Sequence, residues 1–196
     1  LLEESSLVIE KYHSSRDFDL GSTFKEVEGK FELFFQIKNL NDSSGVFRGG
    51  LLLRKEISSP FLDQIAEEYY NRGARGQIQI DSFRFEGNWN WLCEVNYRKS
   101  MGLIVKKLAR LCPVSNEVLL LVTPSSWLKN FKSHNNLHEI LEDLDGIFPL
   151  SPYDSKVFFW LVTAENLEKM HEELLSWWSI ISKEGRQFPP VFNQLL

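Results

Sequence analysis

The sequence predicts an α/β domain built as a mixed β-sheet flanked by helices, and three observations carry that reading. From residue 60 onward the apolar spacing switches between helical and strand periods, in the order helix, hairpin, helix, strand, helix, strand, helix. Two short runs, Glu117 to Val122 and Lys156 to Val162, are almost continuously apolar and read as buried parallel strands. A length of 196 residues, 43% of them hydrophobic and 25% charged, suits one domain with a sizeable core.

The N-terminal third reads as a helix from Leu2 to about Tyr12, then as β-rich sequence. Phe31 to Ile37 is a strand, the Asn39 to Gly45 cluster is a turn, and Leu51 to Leu53 forms a short strand. Residues 1–59 are therefore expected to pack onto a core made by residues 60–196. Ser59-Pro60 opens a helix that runs to about Tyr70, with proline at the first helical position, where its missing N–H has no partner to lose. Asn71-Arg72-Gly73 ends it.

Gln77 to Phe85 and Trp89 to Tyr97 are strands, and Gly87-Asn88 between them is a hairpin signal. Met101 to Leu111 has Ile104, Leu108 and Leu111 on one face and is closed by Pro113. Ser125-Ser126 caps another helical stretch, and Leu137 to Leu144 is amphipathic and stops at Gly146. Thr163 caps a long helix in which Leu167, Met170, Leu174, Trp178 and Ile181 share a face.

No stretch approaches the roughly 18 uninterrupted apolar residues of a membrane span. The two cysteines, Cys93 and Cys112, lack the close Cys or His neighbours that zinc demands and suit a reducing compartment, which implies an intracellular protein, cytoplasmic or in the nucleoid or nucleus. No signal segment is legible, and a start at Leu1 leaves room for a longer parent protein or complex. The net charge of −5 is unevenly spread. Between Tyr70 and Arg110 eight basic residues stand against three acidic ones, while both flanks are acidic, an arrangement that can meet phosphate locally.

With Gly87 and Asn88 as the loop, Asp81 faces Glu94 and Gln79 faces Asn96. Side chains so opposed have Cβ atoms ~4.5–5.5 Å apart, and like charges there destabilise a hairpin unless something compensates. Mg²⁺, or Mn²⁺ in its place, is the economical compensator because it takes carboxylate oxygens and completes its shell with water and phosphate. Glu94, Asn96 and Arg98 share one strand face, and Glu67 or Glu68 on the preceding helix could add a third acid.

Asp81, followed thirteen residues later by Glu94-Val95-Asn96, then a helix and the apolar strand Glu117 to Val122, resembles the PD-(D/E)xK nuclease superfamily. The likeness is to type II restriction endonucleases with glutamine or glutamate in place of lysine, and it spans roughly residues 60 to 163. It implies a restriction-endonuclease-like fold in which Asp81 and Glu94 hold metal, Glu68 assists and Asn96 positions metal or water. Arg72, Arg75, Arg98, Lys99, Lys106 and Lys107 would then contact nucleic acid. The function implied is an enzyme, a Mg²⁺-dependent endodeoxyribonuclease hydrolysing DNA phosphodiester bonds. Ile80 and Asn96 depart from the superfamily's proline and lysine. A second reading is a catalytically inactive nuclease-like module that binds nucleic acid or a protein partner in a larger assembly.

Other candidates carry less. Gln36-Ile37-Lys38 with Asp19 upstream is an alternative centre, although a turn follows it where the superfamily has a helix. His134 and His138 have i, i+4 spacing without a third ligand. Trp89 and Trp91 could stack on bases; Trp177 and Trp178 on the last helix read as core and interface, and such an apolar face would allow a homodimer.

Overall fold

The computed structural model describes residues 16–112, 117–131, 133–142 and 144–195. The helix expected at Leu2 to Tyr12 and the closing Pro113 lie outside them. Strands β1 (Phe18–Val27), β2 (Lys30–Asn41) and β3 (Phe47–Leu52) come first, followed by helix α1 (Pro60–Asn71). Strands β4 (Gln77–Phe85) and β5 (Asn88–Asn96) form the hairpin, and α2 (Met101–Ala109) follows. The chain continues through β6 (Glu117–Pro124), α3 (His134–Leu141), β7 (Ile147–Pro149), β8 (Val157–Ala164) and α4 (Leu167–Ile181). All eight strands make one sheet in the order β5-β4-β1-β2-β3-β6-β8-β7.

The pairings overturn the expected mixed, restriction-endonuclease-like sheet, because every adjacent pair of strands is antiparallel, β6 with β8 included. The apolar runs misled for a physical reason: both faces of β6 and β8 are covered. On one face Leu119, Leu121, Trp160 and Val162 pack with Leu137 and Leu141 of α3 and with Met170, Leu174, Trp177 and Trp178 of α4. On the other, Val118, Leu120 and Leu161 pack with Val105 of α2. Burial on both faces erases the polar alternation whether strands run parallel or not.

Several element boundaries also move. Asn166, not Thr163, caps α4: its side chain accepts from the Lys169 N–H, while Thr163 is still paired in β8 with Val118. The stretch after Ser125 is only a three-residue 3-10 turn, Ser125–Trp127. Ser59 does cap α1, accepting from the Phe61 N–H. Trp177 and Trp178 are 0% and 4% exposed and sit in the core, Trp177 edge-on to Trp160 at 5.1 Å between ring centres. They cannot form the dimer face expected of them.

The β4–β5 hairpin arrives at the expected facing pair by a different route. Its loop is Glu86-Gly87, with φ of 49° and 76°, the left-handed pair that a primed turn requires. Phe85 therefore pairs with Asn88 and Phe83 with Asn90. A bulge then sets Ser82 against Trp91, Leu92 and Cys93, and from there Asp81 faces Glu94 and Gln79 faces Asn96.

Candidate functional site

Strand alternation decides which side chains meet. Ile78 and Ile80 of β4 pack under α1, against Leu62 and Ala66. The alternate residues Gln79 and Asp81 point to the opposite face, into a cleft of about 360 Å³ that also holds Asp19, Asn39, Asn41, Glu94, Asn96 and Arg98. The start of α2, Ser100 to Gly102, closes one side of it.

Asp81 is the centre of this cleft. Its Oδ1 accepts from Gln79 Nε2 at 2.7 Å and its Oδ2 from Asn96 Nδ2 at 2.9 Å. Burial raises the Asp81 carboxyl above the usual carboxylate range, and the facing Glu94 charge pushes the same way; hydrogen bonds from Gln79, Asn96 and Asn39 oppose the rise without cancelling it. Gly21 on β1 makes room, since a Cβ there would lie 3.3 Å from Asp81 Oδ1, 3.3 Å from Gln79 Nε2 and 3.1 Å from Ile37 Cγ1. Glu94 is exposed at the rim. Asn96, having committed its nitrogen to Asp81, retains its amide oxygen for another partner.

The helix α2 begins at the floor of the cleft. Ser100 is its N-cap residue, yet its hydroxyl makes no capping bond. The residue is 9% exposed, and its Oγ is buried without a hydrogen-bond partner among the described residues. First-turn N–H groups lack partners inside a helix and carry the positive end of its dipole, and Arg98 lines the same cleft.

The other expected ligands do not converge here. Glu67 and Glu68 are exposed on α1, across the sheet from Asp81, and Glu68 pairs with Arg72 at 2.7 Å. Among the described residues no group of three His, Cys, Asp or Glu side chains is placed to hold a metal, although Asp19, Asp81 and Glu94 all line the cleft together with several amides. Arg75 is turned to the carbonyls of Tyr70 and Ala74 at the end of α1, and Lys106 and Lys107 occupy the last turn of α2. Of the six basic residues expected to line a nucleic-acid surface, Arg98 alone lines this cleft among the described residues. In the Gln36-Ile37-Lys38 alternative, Gln36 is buried and bonded to Ser22 Oγ at 2.9 Å, on the sheet face opposite Asp19. Trp89 and Trp91 are half-buried and stack on each other, 4.6 Å between ring centres. His134 and His138 fall in α3, but their side chains lie outside the description.

The residues missed in the sequence are those that tune Asp81: Gln79 as a donor, Asn39, Gly21 and the Ser100 cap. Ser100 had a local signal, a hydroxyl residue directly before a helical run, and Gln79 lies two residues before Asp81 on the same strand face. Asn39 and Gly21 reach the site through strand neighbours distant in sequence.

The fold is similar to the ATP-grasp fold of several solved structures. The N5-carboxyaminoimidazole ribonucleotide synthetase of Thermus thermophilus is similar over 88% of this chain and 53% of its own, with a TM-score of 0.55 and 14% identity. The N5-carboxyaminoimidazole synthetase of Staphylococcus aureus, complexed with ADP, is similar over 86% of this chain and 50% of its own, with a TM-score of 0.58 and 9% identity. The biotin carboxylase subunit of pyruvate carboxylase is similar over 91% of this chain and 49% of its own, with a TM-score of 0.54 and 9% identity. The chain spans about half the length of each of these structures. No family model matches the sequence, and no curated protein does.

These likenesses correct the nuclease reading. The antiparallel eight-stranded sheet around the Asp81–Glu94 hairpin is what separates this fold from the expected one. The PD-(D/E)xK resemblance, the DNA endonuclease, its inactive nuclease-like alternative and a DNA partner are all set aside. No helix among the described residues is long and apolar enough to cross a membrane.

Proposed function

We propose that this chain is the nucleotide-handling part of an ATP-dependent synthetase or carboxylase, with the phosphates and their Mg²⁺ held in the Asp81 cleft. The observation that carries this reading is the Asp81–Glu94 pair facing the cleft, in a fold whose Staphylococcus aureus representative is complexed with ADP. The donors fit a hard cation: two carboxylates and the Asn96 amide oxygen, with room for water and phosphate.

Bound there, Mg²⁺ would neutralise phosphate charge and orient the terminal phosphate for transfer. The chain's own groups divide the remaining work. Gln79 and Asn96 hold the Asp81 carboxylate in one orientation, so its outward lone pairs point into the cleft. Glu94 supplies a second charge from the rim, and its repulsion of Asp81 is relieved when a cation sits between them. Arg98, Ser100 and the α2 N-terminus offer a cradle for a transferred phosphate or a small anionic acceptor.

The test is calorimetric titration of the protein with ATP in the presence of Mg²⁺ and again with excess chelator. Binding should need the cation, and Glu94→Gln should raise the Mg²⁺ concentration at which it occurs. A folded protein that binds no nucleotide under either condition would sink the proposal.

A further inference from the structure

Beside the cleft lies a larger cavity of about 720 Å³, and Arg16, Asp19 and Asn41 belong to the walls of both. The turn after β2, Trp127 and the chain from Arg186 to Gln194 enclose it. Its volume is within the roughly 300–1,000 Å³ typical of small-molecule sites.

The carboxylates of this cavity are already matched. Asp19 accepts from Arg16 at 3.1 Å and from Asn41 Nδ2 at 3.0 Å. Asp42 accepts from Arg48 at 2.7 Å and from the Ser44 hydroxyl at 2.6 Å. Asp17 accepts from the Gly87 N–H at 3.1 Å and lies 3.7 Å from Arg84. Arg186 differs from these basic residues. Its backbone is anchored, the N–H donating to Lys183 at 3.1 Å and the carbonyl accepting from Trp178 Nε1 at 3.3 Å. Its guanidinium is exposed, lies 5.6 Å from the centre of the Trp127 ring, and has no carboxylate in ion-pair range among the described residues. The cavity therefore combines Phe188 and Trp127, whose ring also carries the Arg48 guanidinium 4.8 Å from its centre, with the positioned Arg186 charge that no described carboxylate pairs.

We propose that this cavity is a second ligand site, for a small organic anion whose carboxylate or phosphate pairs with Arg186 and whose aromatic or acyl body lies against Trp127 and Phe188. Arg186 selects for charge and the aromatic wall for an apolar body. The assignment stands apart from the nucleotide reading, because Arg186, Trp127 and Phe188 belong to the larger cavity alone.

Calorimetry with 3-phenylpropionate, its primary amide and acetate tests this on the full chain. The carboxylate should bind at least about ten-fold more tightly than the amide, as expected for loss of a charge-assisted hydrogen bond, and acetate should also be weak. Arg186→Gln, a change at an exposed side chain, should bring carboxylate affinity down to that of the amide, while Glu94→Gln should leave it unchanged. The proposal is overturned if amide and carboxylate bind alike, if Arg186→Gln has no effect, if Glu94→Gln weakens the carboxylate as much as Arg186→Gln does, or if none of the probes binds at millimolar concentration.

Discussion

Asp81 stands directly opposite Glu94 in the β4–β5 ladder, with each of its carboxylate oxygens accepting an amide hydrogen, one from Gln79 and one from Asn96. Two like charges in facing positions destabilise a sheet by themselves. The amide donors stabilise the ionised form in part, but burial first and the facing Glu94 charge second still raise the Asp81 carboxyl.

That rise has a definite sign for stability. The folded state binds the Asp81 proton more tightly than the unfolded chain does, so the ionised carboxylate destabilises the fold at every pH above the raised value. The penalty is relieved as pH falls through that value toward the ordinary ~3.9 of an aspartate. Without added cation, Asp81→Asn should melt higher than the parent at pH 7, and the gap should close on acidification. Thermal melts across pH check this, and a variant that melts lower at pH 7 would mean the amide hydrogen bonds dominate.

Glu94 is exposed, so Glu94→Gln should change stability by no more than about 0.5 kcal/mol, as surface substitutions usually do. The same substitution should raise the Mg²⁺ concentration needed for nucleotide binding at least about ten-fold, roughly 1.4 kcal/mol. Denaturation and Mg²⁺ titration of one sample separate the two effects.

Gly49 lies in β3 where that strand meets β6, and an alanine Cβ there would stand 2.6 Å from the Leu120 carbonyl oxygen. Backbone cannot yield cheaply, so Gly49→Ala should destabilise by about 1–3 kcal/mol. The midpoint of urea unfolding reads this directly.

Deep in the other half, Trp160 Nε1 donates to Thr123 Oγ1 at 2.8 Å, and both residues are 0% exposed. Thr123→Val keeps the shape and removes the acceptor, leaving a buried N–H unsatisfied. A loss of about 1–3 kcal/mol is expected from urea denaturation.

Much of the site was legible because it is local. The hairpin pattern placed Asp81 across from Glu94, even though its loop was read one residue late; the bulge at Trp91 to Cys93 restored the alignment that the true Glu86-Gly87 turn had displaced. No periodicity in the sequence announced those extra residues. Glu68, by contrast, was placed near the metal by closeness along the chain, and strand alternation put it across the sheet.

The sequence by itself determined the elements whose causes are short-range: the Ser59-Pro60 start of α1, the polar face of β5 and the amphipathic α4. Only the tertiary structure decided strand direction, sheet order and which amides surround Asp81, because Asn39, Gly21 and Gln79 meet through pairings between strands far apart in the chain. A continuous apolar run records burial on two faces and carries no mark of direction, so β6 and β8 could be recognised as buried strands and still be misread as parallel.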